Sequence, residues 1–297
     1  MKYRHRYHAG NFADVHKHVA LLALLHALQR KPRGLLYLET HAGAGVYDLS
    51  DAAGHRAEAR QGVLALLAAT APPAPELQAY REAVLGWRRD SGAAQAYPGS
   101  PLLAARALRS QDRALLCELL PPECRALERA LGAPGGAPRL QVLCGDGYRA
   151  LAGSLPPPER RALILIDPPY EQPPLEIEQA LAAVESILAR LANAVVALWY
   201  PIKDERWLAS WQAQARSRLN APATALELWL YPRDARVALN GSGLLLINPP
   251  YRFEAAARAW QGQLRRLLEQ ARPAAAPPGG DAVRVLVAER ESPHAGA

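Results

Sequence analysis

Short runs of apolar residues alternate along this chain with longer stretches in which apolar residues recur at helical spacing. An aliphatic run that ends at a turn or a charged residue is typical of a strand buried on both faces, as in a parallel sheet covered by helices. Seven runs fit this description: residues 35–38, 115–117, 140–144, 162–166, 195–199, 226–230 and 244–247. The pattern therefore predicts a seven-stranded sheet.

Helical periodicity occupies most of the intervals between these runs. An N-terminal helix is predicted over residues 13–30, with Asn11 as its N-cap, and it ends at Lys31-Pro32. Later helices are predicted over residues 102–109, 122–131, 176–191 and 205–218. Alternating strands and helices predict a doubly wound α/β sheet that is mostly parallel. Because only a polar loop over 232–242 separates the last two strands, we expect them to pair antiparallel.

One interval does not fit this alternation. Two helical stretches, 60–67 and 75–89, flank a proline pair and predict a small helical insertion. Near the C-terminus, a candidate short strand over 283–287 follows a segment rich in proline, alanine and glycine. We expect a single domain over residues 1–297 with these parts: an N-terminal segment (1–34), a core (35–48 and 97–254), the insertion (49–96), and a C-terminal helix and tail (255–297).

The formal charge of +7 suits a polyanionic partner such as nucleic acid. Arginine supplies nearly all of the basic charge, since lysine occurs only four times. Arginine can bind phosphate through two parallel hydrogen bonds, but the same bias fits a general compositional preference equally well. The charge raises the expectation of nucleic-acid binding without settling it.

Cysteine and histidine usage points to a reducing compartment and to no metal. Cys117, Cys124 and Cys144 are too few and too irregularly spaced for a disulfide framework or a zinc knuckle. Five of the eight histidines crowd the first 26 residues, but no cysteine or acidic cluster completes a metal site there. The N-terminus lacks the apolar run of a secretory signal, and residues 19–28 are too short to span a bilayer. A cytoplasmic protein without membrane association is predicted.

A glycine-rich turn follows the first predicted strand, at Gly43-Ala44-Gly45. Glycines at such a point let the backbone approach a ligand closely, although many strand ends carry glycines and bind nothing. Glu118 and Asp146 follow two later strands, where carboxylates can accept hydrogen bonds from a ribose diol or an adenine amine. Taken singly, each could equally cap a helix. Because the turn lacks a third glycine and a phosphate-binding lysine, nicotinamide and nucleotide-phosphate cofactors are disfavoured.

Residues 163–166 are aliphatic and run directly into Asp167-Pro168-Pro169-Tyr170, a buried strand stopped by two prolines. The exocyclic amine of a nucleobase is a poor nucleophile, because its lone pair is delocalised into the ring. A carboxylate and a proline carbonyl that accept its hydrogens would aim that lone pair at a sulfonium methyl group, while a tyrosine stacks on the base. Asp167 would also take up the proton that is lost.

A near copy, Asn248-Pro249-Pro250-Tyr251, follows the last predicted strand. Asp167 ends the fourth predicted strand, beside the glycine turn in a doubly wound order, whereas Asn248 ends the outlying strand pair. We therefore assign catalysis to Asp167 and a structural role to Asn248. Methylation of a protein glutamine through Asn248 stays open as an alternative.

Five segments together resemble one known family. They are His5-x-x-His8-Ala9-Gly10-Asn11-x-Ala13-Asp14-Val15-x-Lys17-His18, residues 40–45 (Thr-His-Ala-Gly-Ala-Gly), residues 97–101 (Tyr-Pro-Gly-Ser-Pro), residues 164–170 and residues 197–201 (Ala-Leu-Trp-Tyr-Pro). Taken together, over about residues 3–251, these segments resemble the methyltransferase J family, which acts on bacterial 23S ribosomal RNA. The resemblance implies a Rossmann-like class I methyltransferase fold, with an antiparallel last strand, and the activity of an S-adenosylmethionine-dependent adenine-N6 methyltransferase.

The resemblance also assigns residues to roles, with Asp167 as the catalytic residue. It implies cofactor contacts from Lys17, His18, His41, Gly43, Ser100, Glu118, Asp146, Gly147 and Asp167, and RNA contacts from Tyr3, Arg4 and His5 in the N-terminal segment. Pro168, Pro169 and Tyr170 would then hold the substrate base. Two departures occur: Leu120-Pro121 follows Glu118 where the family usually carries a histidine, and the last motif ends in Tyr251 rather than tryptophan.

The favoured hypothesis is methylation of adenine N6 in 23S ribosomal RNA before the ribosome is fully assembled, by a monomer, with the base flipped into the Asp167 pocket. A DNA adenine-N6 methyltransferase is the alternative, but the insertion is short and has no basic recognition helix. A binding module that has lost catalysis is disfavoured, because Asp167 and the glycine turn are intact.

Overall fold

A twisted eight-stranded sheet forms the centre of the computed structural model, which describes residues 8–50, 55–70, 74–132, 138–232, 235, 237, 239–272 and 276–288. The strands are β1 (Leu36–Glu39), β2 (Val46–Asp48), β3 (Ala96–Pro98), β4 (Arg113–Glu118), β5 (Arg139–Cys144), β6 (Ala162–Ile166), β7 (Val195–Ile202), β8 (Ala223–Trp229), β9 (Gly241–Ile247) and β10 (Gly280–Val287). The helices are α1 (Phe12–Gln29), α2 (His55–Arg60), α3 (Val63–Ala68), α4 (Pro75–Ser91), α5 (Ser100–Ala107), α6 (Pro121–Leu131), α7 (Gly147–Ser154), α8 (Pro173–Arg190), α9 (Glu205–Arg218) and α10 (Phe253–Gln270).

The strand order is β10-β8-β9-β7-β6-β1-β4-β5, and β5, β4, β1, β6 and β7 run parallel. The predicted mostly parallel, doubly wound α/β fold is confirmed. The predicted antiparallel pairing of the last two core strands, β8 and β9, is also confirmed. The sheet holds eight strands rather than seven, because the C-terminal segment Gly280–Val287 adds to the free edge of β8 as an antiparallel strand.

Helices cover both faces of the sheet. Alternate residues of the first strand point to opposite sides, so that Leu35 and Tyr37 enter one apolar core while Leu36 and Leu38 enter the other. The first core lies beneath α1, α5, α6 and α10, and the second beneath α7, α8 and α9. The uninterrupted apolar runs in the sequence had predicted strands of this kind, buried on both faces.

Helix α1 spans the sheet from one edge to the other. The side chain of Asn11 accepts hydrogen bonds from the backbone of Ala13 and Asp14, both at 3.0 Å, which confirms it as the N-cap. The helix contacts α4, α5, α10, β6 and β9. Its first turns lie at the edge where the parallel strands end, here called the carboxyl edge, because Lys17 contacts Asp167 there. Its last turn leads to the opposite edge, here called the amino edge, where β1 begins.

The insertion contains three helices where two were predicted. The stretch predicted as one helix, 60–67, is divided between α2 and α3 by a turn at Gln61-Gly62. A Cβ atom on Gly62 would lie 2.1 Å from the carbonyl oxygen of Gly10, so this close approach requires glycine. Strands β2 and β3 pair antiparallel as a small second sheet at the base of the insertion. Among the described residues, none of the helices is long and apolar enough to cross a membrane.

Candidate active site

Four carboxylates follow or end neighbouring strands at the carboxyl edge of the sheet. They are Glu39 at the end of β1, Glu118 at the end of β4, Asp146 after β5 and Asp167 after β6. Strands β5, β4, β1 and β6 are consecutive neighbours in the sheet, so these side chains occupy one continuous edge. This edge is where ligands bind in open α/β sheets.

Asp167 forms a buried ion pair with the N-terminal helix. The ammonium nitrogen of Lys17 lies 2.5 Å from Asp167 Oδ2 and 3.0 Å from Asp14 Oδ1. The Asp167 side chain is 15% exposed, whereas those of Lys17 and Asp14 are 5% and 3% exposed. Burial alone would lower the pKa of Lys17, but the two carboxylates hold that pKa above its ordinary value. Asp167 therefore lies partly exposed at the carboxyl edge, beside a fixed positive charge.

The two prolines and the tyrosine after Asp167 differ in exposure. Pro168 is buried and Pro169 is exposed. Tyr170 has a left-handed backbone, with φ at +52°, and its side chain turns back beneath the loop. Its hydroxyl donates to the carbonyl oxygen of Trp199 at 2.7 Å, and its ring packs edge-on against the rings of Trp199 and Trp207. The tyrosine anchors the loop to β7, and only 4% of it is exposed.

The glycine turn is joined to the next strand through Glu118. The backbone of Gly43, at φ +65°, donates to Glu118 Oε2 at 2.8 Å, and the backbone of Leu120 donates to Oε1 at 2.8 Å. A Cβ atom on Gly43 would lie 2.3 Å from the Tyr47 hydroxyl, and Gly45 also has a positive φ, +81°. Glycine is therefore required in this turn by backbone conformation and by space.

Asp146 caps helix α7, and the residues after it lie against the end of β1. Its carboxylate accepts from the backbone of Tyr148 at 2.9 Å, while the residue itself is exposed. A Cβ atom on Gly147 would lie 2.2 Å from the carbonyl oxygen of Thr40, so only glycine lets α7 begin this close to the glycine turn. Of the two interpretations made from sequence, the structure shows the helix cap, and the role as a ligand acceptor stays a prediction.

His41 and Tyr148 form one wall of the cleft. Their rings meet edge to face, with centroids 5.3 Å apart. Burial lowers the pKa of His41 to about 4, so its ring is neutral near pH 7. Within the described residues the Tyr148 hydroxyl is buried and has no hydrogen-bond partner. Such an unsatisfied group is uncommon and indicates a place where a ligand or water completes the site.

Ser100 and His18 lie deeper in the protein than their predicted roles suggest. The Ser100 hydroxyl donates a short hydrogen bond to Glu39, which also accepts from the Tyr37 hydroxyl at 2.9 Å. His18 is 1% exposed, and its Nδ1 lies 2.6 Å from the Tyr97 hydroxyl. Ser100 therefore contacts Glu39, the last residue of β1, from the interior of the protein. His18 connects α1 to β3 through Tyr97.

Glu39, Asp14 and Trp199 belong to this site but received no role from the sequence. Glu39 is fully buried, and burial raises its pKa to about 8. A carboxylate at the end of a strand was the signal used for Glu118, and the same signal could have identified Glu39. Asp14 could have been found from its position three residues before Lys17 on a helix. The ring centroid of Trp199 lies 5.7 Å from the Lys17 nitrogen, which no local pattern predicts.

Two other predictions concern the N-terminal segment and metals. Tyr3, Arg4 and His5, the predicted RNA contacts, lie outside the described residues. In the part of the chain that the structure describes, no group of three or more histidine, cysteine, aspartate or glutamate side chains is arranged to hold a metal ion.

Comparison with known proteins connects this geometry to a family. The family model described as "Ribosomal RNA large subunit methyltransferase D, RlmJ" matches residues 32–276, and so continues through α10, past the point where the resemblance was expected to end. A protein from Escherichia coli named ribosomal RNA large subunit methyltransferase J is 36% identical over 259 residues, which cover 86% of this chain and 89% of the relative. A protein of the same name from Haemophilus influenzae is 34% identical over the same shares of both chains.

A solved structure shows the same fold. The crystal structure of a protein from Legionella pneumophila superposes with a TM-score of 0.81, at 32% sequence identity, and covers 94% of this chain and 98% of that one. The arrangement of strands and helices described above is therefore shared with an experimentally determined relative over nearly its whole length.

Proposed function

Because this chain belongs to the ribosomal RNA large subunit methyltransferase J family, we propose that it transfers a methyl group from S-adenosylmethionine to the exocyclic N6 of a specific adenine in 23S ribosomal RNA. The observation that carries the proposal is the Asp167 carboxylate, which ends a parallel strand beside the glycine turn and is fixed there by Lys17. Membership of the family indicates ribosomal RNA as the substrate class. The position of this carboxylate supports the exocyclic amine nitrogen as the atom that is methylated.

The carboxyl edge has the hydrogen-bond acceptors that a sulfonium nucleoside needs. The Glu118 and Asp146 carboxylates flank the glycine turn, and each has lone pairs beyond those used by backbone donors, which would accept from ribose hydroxyls and an adenine amine. Leu119, next to Glu118, is 64% exposed and offers an apolar surface for a purine ring. The unsatisfied hydroxyl of Tyr148 and the neutral ring of His41 would close the pocket. S-adenosylmethionine, when bound there, supplies an electrophilic methyl group.

Asp167 and the backbone after it would prepare the nucleophile. Among the described contacts, Lys17 engages Oδ2 of Asp167, which leaves Oδ1 to accept one hydrogen of the adenine amine. The carbonyl oxygen of Pro168 is held by the rigid proline pair and would accept the other hydrogen. The amine nitrogen then forms its bond to the methyl carbon while the bond from sulfur to that carbon breaks, and the amine proton passes to Asp167.

Tyr170 contributes to base recognition by fixing the loop. Since its ring is packed against Trp199 and Trp207, the shape of the loop and the exposed Pro169 ring present most of the surface that a flipped base would meet. A base taken out of a helix loses its stacking, and a rigid, apolar pocket offsets part of that cost. Because only 4% of Tyr170 is exposed, its ring offers no face for the expected stacking on the base, and its proposed role is to support the loop.

Two parts of the proposal rest on the family resemblance. The segment that contains Tyr3, Arg4 and His5 would contact RNA beside the cleft, and Lys17, His18 and Ser100 would lie around the amino-acid end of the cofactor. A monomer acting on 23S ribosomal RNA before assembly is complete would have the target base accessible. Neither part depends on a metal ion.

The decisive experiment compares 23S ribosomal RNA from cells with and without this protein by mass spectrometry of mapped fragments. We expect one N6-methyladenine to disappear in the cells that lack the protein. In vitro, purified protein with labelled cofactor should modify protein-free ribosomal RNA and leave duplex DNA unlabelled. Label in DNA alone, or a methyl group on another atom of the base, would contradict the proposal.

A variant separates chemistry from binding. Asp167→Ala should lose methyl transfer and keep cofactor affinity, since Glu118 and Asp146 are unchanged. Isothermal titration with S-adenosylhomocysteine measures that affinity. Undiminished turnover by this variant would remove Asp167 from the catalytic role.

A further inference from the structure

A groove at the amino edge of the sheet has no part in the chemistry proposed above. It encloses about 390 Å³ between the last turn of α1 and the first turns of α4 and α10. His26, Arg30, Glu76, Tyr251 and Arg252 contribute to its lining. This groove, here called the Tyr251 groove, lies where β9 ends, because β9 runs antiparallel to β7 and so finishes at the opposite edge from Asp167.

Tyr251 is the most prominent feature of the groove. It is 84% exposed, which is unusual for a tyrosine on a well-ordered turn. The guanidinium carbon of Arg252 lies 5.1 Å from its ring centroid, and Arg252 Nε donates to its hydroxyl at 3.1 Å. Arg252 has a left-handed backbone, with φ at +61°, a conformation that costs about 1 kcal/mol or more for such a residue. The ring of Tyr251 and the guanidinium of Arg252 are therefore exposed side by side, and Arg252 adopts an unfavourable backbone conformation at this position.

Positive charge continues from the groove along the amino edge. Arg30, Lys31 and Arg33 are exposed in the turn after α1. Arg109 and Arg161 both donate to the carbonyl oxygen of Arg33, and burial together with the positive charge of Arg109 lowers the pKa of Arg161. Arg109 is itself paired with Asp112, so Arg30, Lys31, Arg33 and Arg161 form the basic strip, which begins at Arg30 in the groove.

We propose that the Tyr251 groove is a second contact surface for ribosomal RNA, in which an unpaired base stacks on Tyr251 and the adjoining phosphates pair with Arg252 and Arg30. The proposal rests on ribosomal RNA being the substrate class, and it adds a binding surface that is separate from the methyl-transfer site. An aromatic face beside arginine is the arrangement that binds single-stranded nucleic acid without reading its sequence.

The surroundings of the groove favour RNA over a protein partner. The buried core of a protein interface is usually more apolar than the rest of the surface. The other large apolar side chains that are strongly exposed include Leu119 and Leu175, which belong to the carboxyl edge and to the start of α8. Around Tyr251 the exposed lining residues are His26, Arg30 and Arg252 together with the small apolar residues Pro75 and Ala256, and Glu76 is the one carboxylate in the described lining. The charge of the strip also matches a polyanion, in line with the net charge of +7.

The distance between the two surfaces sets the length of RNA that can reach both. Lys17 and Arg30 lie on one helix, thirteen residues apart, so they are separated by roughly 20 Å at 1.5 Å per residue. One strand of stacked nucleotides advances about 3.4 Å per nucleotide, so about six nucleotides separate the target adenine from the base on Tyr251 when the strand between them stays stacked. A shorter stacked RNA cannot occupy both surfaces at once.

The test measures the affinity of the full chain for two fragments of 23S ribosomal RNA by fluorescence anisotropy. One fragment has four nucleotides around the target adenine and the other has about forty. Tyr251→Ala should weaken binding of the long fragment about tenfold, the size expected for one lost base–aromatic stack. It should leave the short fragment unaffected, and Tyr251→Phe should restore the affinity.

Arg30→Gln tests the basic strip. It should reduce the slope of log K against log salt by about 0.7 for the long fragment, the value for one lost phosphate contact on a single strand. Arg216→Gln removes the same charge from exposed α9 on the other face of the sheet and should change nothing.

Three results would overturn the proposal: unchanged affinity of Tyr251→Ala for the long fragment, an equal loss for both fragments, or a loss of self-association, which would assign the groove to a second copy of the chain. The atom that the wild-type protein methylates is measured separately by mass spectrometry. An error in the proposed function would therefore appear there and leave the comparison of affinities intact.

Discussion

The two Pro-Pro-Tyr motifs of this chain are nearly the same in sequence but lie at opposite edges of the sheet. Each directly follows a buried strand, β6 in one case and β9 in the other. Asp167 accepts from Lys17 at the carboxyl edge, whereas the side-chain amide of Asn248 donates to the carbonyl oxygens of Ala192 and Ala194 at 2.8 and 2.9 Å. One motif begins with a carboxylate that is paired with Lys17, and the other begins with an amide that closes a turn.

Strand direction accounts for this difference. Strand β6 runs with the parallel set, so its end joins the ends of β1, β4 and β5, while β9 runs against that set. The same reversal exposes Tyr251 and buries Tyr170. As the sequence had suggested, Asn248 ends a strand of the pair β8–β9, which lies outside the parallel set, and β9 is the member of that pair next to β7. A short motif therefore indicates chemistry only when the direction and the neighbours of its strand are known.

Exchanging the first residues of the two motifs is the strongest way to break the comparison. Asp167→Asn keeps the shape of the loop but cannot take up a proton, so we expect kcat for methyl transfer to fall about a thousandfold. Single-turnover assays with ribosomal RNA measure the loss. Adding Asn248→Asp to that variant should restore nothing, because a carboxylate at the amino edge is remote from the cleft. Recovery of activity in the double variant would show that catalysis does not require the carboxylate to lie at the carboxyl edge.

The contribution of the Lys17 ion pair to the stability of the carboxyl edge can be measured separately. Lys17→Met leaves Asp14 and Asp167 buried without their cation, and we expect the free energy of unfolding at pH 7 to fall by about 3 kcal/mol or more. Urea denaturation measures the change. Lys203→Met, at an exposed position, is the matched control and should have no measurable effect. If both variants lose the same stability, the ion pair does not hold the carboxyl edge together.

A dependence on pH should also distinguish the carboxyl edge. The pKa of Glu39 is about 8 in the folded protein against 4.5 ordinarily, so its contribution to stability is fully present below about pH 4.5 and is lost as the pH rises through 8. The slope should reach about 1.4 kcal/mol per pH unit within that window. Glu39→Gln should flatten the unfolding free energy between pH 5 and pH 8. An unchanged pH profile in this variant would mean that Glu39 is ionised in the folded protein.

The smallest expected effect concerns the amino edge. Asn248→Ala removes two hydrogen bonds to backbone carbonyls and places alanine at φ +51°, so we expect a loss of about 1–2 kcal/mol in unfolding free energy. The kcat for methyl transfer should stay within twofold of wild type. A large fall in kcat with normal stability would give Asn248 a part in the chemistry and revive glutamine methylation as a function.

The local pattern of the sequence determined much of this fold. Uninterrupted aliphatic runs located every strand of the parallel set, and periodicity with an Asn11 cap located α1, because both signals arise from burial of neighbouring residues. Strands β2 and β3 were missed, since three residues are too few to show a period. The division of α2 from α3 was also missed, because it depends on the distant backbone of Gly10.

The candidate site could be predicted only in part, for a related reason. The carboxylates at strand ends follow from topology, and the family resemblance added Lys17. The contact of Lys17 with Asp167 and Asp14, the raised pKa of Glu39 and the burial of Tyr170 depend on how separate elements pack, which no window of sequence contains. The roles given to Tyr3, Arg4 and His5 stay predictions.

The pairing of Lys17 with Asp167 has a consequence for synthesis of the chain. The two residues are 150 positions apart, so at 5–20 residues per second the ribosome makes the lysine roughly 8–30 s before its partner. During that interval α1, whose residues 12–22 are all buried in the finished protein, has no sheet to cover it. The nascent chain therefore carries an apolar helix whose Lys17 has only Asp14, on the same helix, as a partner, and its contact with Asp167 forms only after most of the sheet has emerged.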